Sequence, residues 1–187
     1  MKYITPQLET ERLILKRGTY DDYVKVYEYD FTKLRNINGE FEFVKFDSEQ
    51  LKGWENSADE EPYTLDFILF IKNGMIPIGN LVYDRYDEEN NSLEISINIH
   101  PNYWGKGYAK EAVLKSMDYV YSSLDIDNII YSYGEGNTRS KSLNDKIGFK
   151  SYKSRIEHYK RIDKDIVEYI NIMSKENFYE LYPKLTK

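Results

Sequence analysis

Three features of the sequence predict an α/β fold of the α+β class, in which helices pack on a mixed central sheet. Strand-like segments are grouped before and after the helix-like segments that separate them. Residues Ser92 to Ile99 alternate strictly between polar and apolar side chains, the pattern of a strand with one buried face. The residues after Gly107 instead repeat their apolar side chains at helical spacing.

The first 60 residues predict one strand and two helices. Leu8–Arg17 is strand-like, and Asp21–Tyr29 is a short helical segment with acids in its first turn, where the helix dipole favours them. A further helix is predicted near Ser48–Asn56, with Ser48 as its N-cap. The remainder of residues 31–61 has no readable pattern.

A hairpin is predicted at Asn73-Gly74, which lies between two apolar runs. Both residues of such a two-residue turn need positive φ angles, which Asn and Gly tolerate. Pro77 cannot donate a ladder hydrogen bond, so it predicts an edge strand or a bulge in the second run.

The second half of the chain alternates helices and strands. The helix after Gly107 presents one apolar face, made of Ala109, Ala112, Val113, Met117, Val120 and Tyr121. Further along we expect a strand at Asn128–Tyr133, a helix from Asn137 as N-cap to Gly148 as C-terminal stop, a strand that carries Glu157 and His158, a strand at Asp165–Met173 and a helix at Ser174–Leu181.

Composition limits the possible functions. The 187 residues suit a single domain, and 41% of them are hydrophobic, enough for a packed core. A net charge of -6 argues against nucleic acid or an anionic membrane as partner. With no cysteine there is no disulfide and no cysteine nucleophile. No apolar run has the length of a signal peptide core or a membrane span, so we expect a soluble, cytoplasmic protein.

The stretch HPNYWGKGYAKEA combines a strand-to-helix corner with two glycines, Gly105 and Gly107. The first N–H groups of a helix lack partners and carry partial positive charge, and glycines let a ligand approach the backbone. The corner therefore predicts an anion site, most naturally for phosphate. It lacks the third glycine of a dinucleotide fingerprint and the Lys-Ser/Thr of a P-loop. A tight turn without a ligand explains the two glycines equally well.

Two motifs in order, SLEISINIHPNYWGKGYAKEA and NTRSKSLNDKIGF, resemble the GNAT superfamily of acyl-CoA-dependent N-acetyltransferases. The segment YWGKGYAKEA and the Asn-x-x-Ser pair resemble motifs of one branch of this superfamily, the ribosomal-protein N-terminal acetyltransferases. The resemblance implies a single acetyltransferase domain over residues 1–187, with a mostly antiparallel central sheet flanked by helices. It also implies acetyl-CoA as co-substrate, no metal, and direct transfer of the acetyl group to a primary amine without a covalent enzyme intermediate.

The resemblance carries cofactor contacts onto specific positions. Gly107 and Ala109 match the fixed positions of the family's loop pattern, while Trp104 stands where the superfamily has Gln or Arg, as is usual in this branch. The contacts implied are the backbone of Trp104, Gly105, Lys106, Gly107, Tyr108 and Ala109 with the pyrophosphate, Ile97, Asn98 and Ile99 with the pantetheine arm, and Asn137 and Ser140 with the cofactor.

The chemistry needs a base for the amine and an acid for the leaving thiolate. Glu94, on the polar face of its strand, and Glu157 are the base candidates. A solvated sheet face explains Glu94 equally well, and a surface carboxylate is the favoured explanation of Glu157. Ser140 is the acid candidate, and its alternative role is support of a helix start. The tyrosine that many superfamily members use is replaced here by Asn144, so Ser140 or water must serve.

Several alternatives stay open. The cations Lys106, Lys110, Arg139 and Lys141 either offset phosphate charges or are simply solvated. The isolated His100 and His158 do not predict a metal site. The acceptor is a small-molecule or peptide amine, such as a protein N-terminus, and a homodimer is compatible with the resemblance. A non-catalytic acyl-CoA-binding module, or a domain with an empty glycine turn, would show the same sequence features.

Overall fold

A computed structural model describes residues 2–28, 48–159 and 163–185, which contain one eight-stranded sheet and five helices. Most of the unpatterned segment that starts at Phe31 lies outside these ranges. The strands are β1 (Leu8–Glu9), β2 (Leu13–Lys16), β3 (Leu65–Ile71), β4 (Ile76–Asp87), β5 (Ser92–Ile99), β6 (Asn128–Gly134), β7 (Lys150–Tyr159) and β8 (Lys164–Ser174). The helices are α1 (Tyr20–Tyr27), α2 (Ser48–Glu60), α3 (Tyr108–Ser123), α4 (Thr138–Ile147) and α5 (Lys175–Leu181).

The strand order β1-β2-β3-β4-β5-β6-β8-β7 confirms the expected mixed, mostly antiparallel sheet. Within the described ranges only β5 and β6 pair in parallel, and the crossover between them carries α3. Such a connection needs a helix because parallel neighbours cannot be joined by a short turn. Among the residues that the structure describes, no helix is both long and apolar enough to cross a membrane.

The sheet separates two apolar clusters. On one face, β3, β4 and β5 pack against α3 and α5 through side chains such as Phe67, Leu81, Ile95, Met117 and Phe178, all of which are at most 1% exposed. On the opposite face, α1 and α2 cover a smaller cluster of Tyr23, Val26, Leu51, Ile68 and Phe70. Most of the apolar burial, and hence most of the hydrophobic stabilisation, lies on the α3 side.

The first predicted strand is wrong as a single element. Residues Leu8–Arg17 form a tight antiparallel pair, β1 and β2, in which Leu8 lies opposite Leu15. The reversal is held by Thr10, whose hydroxyl accepts a hydrogen bond from the Leu13 backbone at 2.8 Å while its own N–H donates to the Leu13 carbonyl. A local side-chain turn of this kind competes with an extended strand.

The predicted hairpin is present, but its turn differs from the expected one. β3 and β4 close at Ile71 opposite Ile76, so the loop has four residues, 72–75. Positive φ angles occur at Gly74 (87°) and Met75 (50°) rather than at Asn73. The bulge expected at Pro77 is confirmed by a register shift between Leu69 and Phe70. The extra residue of the bulge is Ile78, which lies between Pro77, the partner of Phe70, and Gly79, the partner of Leu69.

The later elements agree with the sequence. The faces expected of β5 and α3 are those that are buried, with Leu93 at 0% and Ile95 at 1% exposure. Asn137 caps α4 by accepting a hydrogen bond from the Ser140 backbone, and Gly148 ends it with a φ of 95°. Ser174 caps α5 in the same way. α1 begins one residue before its predicted start, and α2 extends four residues past its predicted end at Asn56.

The structural feature that positions the site is a split in the sheet. β5 and β6 pair only over Ser92–Glu94 and Asn128–Ile130. Beyond this point β5 stays paired with β4 as far as Ile99, and β6 stays paired with β8 as far as Gly134. The two strands therefore diverge, and a cleft opens between their carboxyl ends.

At Gly79 the backbones of β4 and β5 pack closely together beside this cleft, and substitution of this glycine tests how close they are. A Cβ at Gly79 would overlap the backbone carbonyl oxygen of Asn98, which cannot move without breaking the ladder. We expect Gly79→Ala to lower the free energy of unfolding by about 2 kcal/mol, the usual cost of overpacking. Gly53→Ala, in an open position of α2, should instead raise it by about 0.5–1 kcal/mol. Urea unfolding of both variants checks this, and equal effects would contradict the close approach.

Candidate active site

A pocket of about 470 Å³ occupies the cleft where β5 and β6 diverge. It is bounded by the end of β5, the glycine corner, the start of α3 and the first two turns of α4. The residues that line it are Ile97, Ile99, Tyr103, Trp104, Gly105, Gly107, Tyr108, Ala109, Lys110, Tyr131, Thr138, Arg139, Ser140, Ser142, Leu143 and Lys146.

The glycine corner has the geometry that its sequence predicts. Gly105 and Gly107 have φ angles of 74° and 82°, a region that side chains rarely adopt. Gly107 is the N-cap of α3 and has no side chain to satisfy the first N–H groups of the helix. A Cβ at Gly105 would meet nothing within 4 Å. The corner thus presents backbone donors beside open space within the pocket.

An ion pair from the amino-terminal hairpin holds this corner in place. The Arg12 guanidinium contacts the Glu111 carboxylate at 2.6 Å and also donates to the Lys106 carbonyl at 2.9 Å. Glu111 accepts further hydrogen bonds from the Thr10 hydroxyl and from the Arg12 backbone. Arg12 also lies over the Tyr108 ring at 4.6 Å. The loop is therefore fixed from outside the pocket.

Cationic side chains lie beside the corner. Lys110 and Arg139 line the pocket as the sequence suggested, and Lys146 joins them. Arg139 stacks on the Trp104 ring at 3.8 Å, and the Trp104 indole donates to the Ile99 carbonyl at 2.6 Å. Lys141 points elsewhere and pairs with Asp145 at 2.6 Å. These three cations of the pocket lining offset the negative net charge of the chain locally.

Two hydroxyl groups also line the pocket. The Tyr131 phenol, contributed by β6, lies beside the Ser140 side chain from α4. Burial raises the pKa of the Tyr131 phenol above its ordinary value, and the bond to Ser140 offsets part of that rise. The phenol is therefore protonated at neutral pH. The sequence analysis missed Tyr131 because its strand pattern indicates only a core residue.

Most of the predicted cofactor residues line the pocket, but three do not. Asn98 points to the opposite face of β5, since it alternates with Ile97 and Ile99, and its buried side-chain nitrogen has no hydrogen-bond partner in the structure. Lys106 lies over the Tyr103 ring and contributes its carbonyl to Arg12. Asn137 caps α4.

The two candidate bases lie on the sheet face opposite α3. Glu94 is the last β5 residue paired with β6, where the split begins, and it forms an ion pair with Arg85 at 3.1 Å. Glu157 lies on the edge strand β7, half exposed, and pairs with Arg155 at 3.3 Å. β8 separates β7 from β6, so Glu94 is the nearer of the two to the pocket.

The histidines are engaged in local contacts. His100 accepts a hydrogen bond from the Asn102 backbone, and His158 contacts Asp165. Within the described ranges, no group of three or more His, Cys, Asp or Glu side chains is arranged to hold a metal ion.

The sequence matches a known protein family and a curated protein. The model of the "Acetyltransferase (GNAT) domain" family matches residues 12–150. A curated relative, "Uncharacterized N-acetyltransferase p20" of Bacillus licheniformis, is 31% identical over 146 residues, which cover 76% of this chain and 81% of the relative.

Solved structures share the fold. A GNAT acetyltransferase from Bacillus anthracis superimposes with a TM-score of 0.74 at 23% identity, over 91% of this chain and 99% of that one. The ribosomal-protein-S5-alanine acetyltransferase from Vibrio fischeri superimposes with a TM-score of 0.73 at 16% identity, over 92% and 98% of the two chains.

The Arg12–Glu111 clamp predicts a specific acid sensitivity. Partial burial raises the pKa of Glu111, but its hydrogen bonds to Thr10 and Arg12 outweigh burial and hold the pKa below the ordinary 4.5. The stabilisation is therefore complete above pH 4.5 and is lost as the pH falls through the lowered pKa. We expect Glu111→Gln to cost on the order of 1–2 kcal/mol at pH 7.

Urea unfolding between pH 7 and pH 3 measures this effect. The stability difference between wild type and Glu111→Gln should shrink as the pH falls below 4.5. A difference that stays constant over this range would contradict the assigned role of the carboxylate.

Proposed function

The chain belongs to the GNAT acetyltransferase family, and we propose that it transfers the acetyl group of acetyl-CoA directly to a primary amine. The observation that carries the proposal is the pocket at the β5–β6 split, which joins an anion-binding glycine corner to a pair of proton-carrying hydroxyls. The acceptor class is a small-molecule amine or a peptide amine. The fold alone, shared with a ribosomal-protein acetyltransferase, does not select between them.

The residues of the pocket fit coenzyme A in charge and in shape. Backbone N–H groups at the start of α3 and three cations suit the phosphates, and open space faces Gly105. The edge of β5 beyond Glu94, which has no β6 partner, suits an extended arm bound through main-chain groups. Acetyl-CoA supplies an acetyl group activated as a thioester.

In a direct transfer the amine nitrogen loses one proton and the departing sulfur gains one. Ser140 holds a hydroxyl at the pocket wall, and the Tyr131 phenol beside it is a second source of the proton that the sulfur takes up. This pair takes the role of the tyrosine that many superfamily members have at the position of Asn144. The Asn144 side chain is buried, at 3% exposure. Glu94 is the preferred base because it lies where the split begins, while Glu157 remains a second candidate.

The alternative is a non-catalytic acyl-CoA-binding module. Its specific support is that Glu94 is tied to Arg85 and Asn144 stands in place of a tyrosine. Steady-state turnover of acetyl-CoA with any amine eliminates it. Binding of acetyl-CoA without turnover across a panel of primary amines and peptide N-termini would favour it.

The cofactor assignment predicts that Gly107→Val loses acetyl-CoA binding. The wild type should bind with micromolar affinity, on the order of -8 kcal/mol, because the corner supplies donors and charge. Gly74→Val in the β3–β4 turn is the matched control, since Gly74 has a similar φ of 87° but does not line the pocket. Calorimetric titration measures all three proteins. Unchanged affinity in Gly107→Val would refute the corner as the phosphate site.

The hydroxyl pair predicts a coupled loss of activity. Ser140→Ala and Tyr131→Phe should each lower kcat by about tenfold or more, since each removes a hydroxyl that supplies the proton the sulfur takes up. The double variant should lose little beyond either single variant because the two residues act as a unit. Ser122→Ala, on the exposed side of α3, is the control. Full kcat in both single variants assigns protonation of the sulfur to water.

A further inference from the structure

A second cavity of about 320 Å³ lies on the sheet face opposite the active-site pocket, beneath α1 and α2. Three carboxyl side chains, Glu61, Asp66 and Asp84, line it together with the aromatic rings of Tyr27 and Trp54. The centroids of those two rings lie 5.2 Å apart. We call this the acidic cavity.

Asp66, at the base of this cavity, has an unsatisfied acceptor. Its side chain is 2% exposed, and its Oδ2 accepts hydrogen bonds from the Tyr23 hydroxyl and from Arg17. Its Oδ1 is buried and has no hydrogen-bond partner among the residues that the structure describes. A buried carboxylate oxygen without a donor is costly, so the site favours a ligand that donates.

The charges around Asp66 favour a cationic ligand. Two charged side chains interact electrostatically with Asp66. Arg17 follows β2 in the chain, and Asp84 lies on β4. Burial raises the pKa of Asp66 to about 6, while the bond from Tyr23 and the charge of Arg17 offset part of the rise. Burial also raises the pKa of Asp84, and the charge of Arg85 offsets part of that rise. A cation between these carboxyls would stabilise their charged forms, and aromatic walls attract cations as well.

The acidic cavity reaches the strand that carries the reaction. Asp66 pairs with Val82, and Val82 pairs with Ser96, so the three residues stand in one row across β3, β4 and β5. Two strand separations span about 10 Å. Ser96 lines the acidic cavity, and its neighbour Ile97 lines the active-site pocket. An elongated ligand held at Asp66 therefore extends towards the split.

We propose that the acidic cavity binds the amine acceptor and selects a diamine, with one nitrogen held as an ammonium by Asp66 and Asp84 and the other beside Ser96. This inference rests on the proposed acetyl transfer. The nitrogen beside Ser96 loses one proton to a base or water and bonds to the acetyl carbon, while the C–S bond breaks and the sulfur takes up one proton. The product carries one positive charge instead of two, which weakens its hold on the carboxyls and aids release.

The test compares 1,4-diaminobutane with 1-aminobutane, which has the same carbon chain and one charge. We expect kcat/KM at least tenfold higher for the diamine. Asp84→Asn should remove most of that preference while it leaves the monoamine nearly unchanged. Glu88→Gln removes the same charge from the exposed β4–β5 turn and should keep the preference. A preference that survives in Asp84→Asn overturns the assignment.

Calorimetric binding of 1,4-diaminobutane gives a readout that is independent of acetyl transfer. Wild-type affinity should fall as the pH drops from 7 to 5, because Asp66 is then protonated, and Asp66→Asn should abolish this dependence. If Asp66→Asn fails to fold, the affinity of Asp84→Asn for 1,4-diaminobutane provides the test instead.

The outcomes separate the two proposals. If the diamine binds to the wild type and not to Asp84→Asn, the acidic cavity is a diamine site, even if no acetyl transfer occurs. If acetyl-CoA binds and only a peptide N-terminus is acetylated, the diamine inference is overturned while the acetyltransferase function stands. Failure of acetyl-CoA to bind contradicts the proposed function and the role of the diamine as acceptor, whereas binding of the diamine to the acidic cavity is tested separately by the calorimetry.

Discussion

The structure depends on the early end of the parallel ladder between β5 and β6. These strands share only three pairs, and each is then held by its other neighbour, β4 or β8. Because both remain firmly paired on one side, their divergence is stable rather than frayed. The resulting cleft interrupts the sheet at its centre, and the glycine corner and the start of α4 close it at one end. A ligand site within a continuous sheet would have no such access.

Alternation along β5 gives the split two distinct sides. Ile97 and Ile99 face the active-site pocket and the α3 layer, while the polar residues Glu94, Ser96 and Asn98 face the opposite side of the sheet. Because side chains alternate between the two faces of a strand, the proposed roles lie on different faces. Apolar and main-chain groups contact the cofactor on one face, and charged groups recognise the amine on the other. The two substrates would approach one strand from opposite faces.

The sequence predicted the elements with strong local patterns and missed contacts between distant segments. The faces of β5 and α3 and the caps of α4 follow from spacing and from residues such as Asn137 and Gly148. The β1–β2 reversal was not predicted because Thr10 acts through a hydroxyl bond that interrupts an otherwise strand-like run. Tyr131, the Arg12–Glu111 clamp and the acidic cavity arise only when residues far apart in the chain meet, so one sequence cannot reveal them.

A crystal structure with bound acetyl-CoA tests the central claim most directly. The account predicts the pyrophosphate at the backbone N–H groups that begin α3, with the thioester in the β5–β6 split beside Ser140 and Tyr131. Electron density for the cofactor elsewhere on the chain, or a closed and continuous β5–β6 ladder, would contradict it.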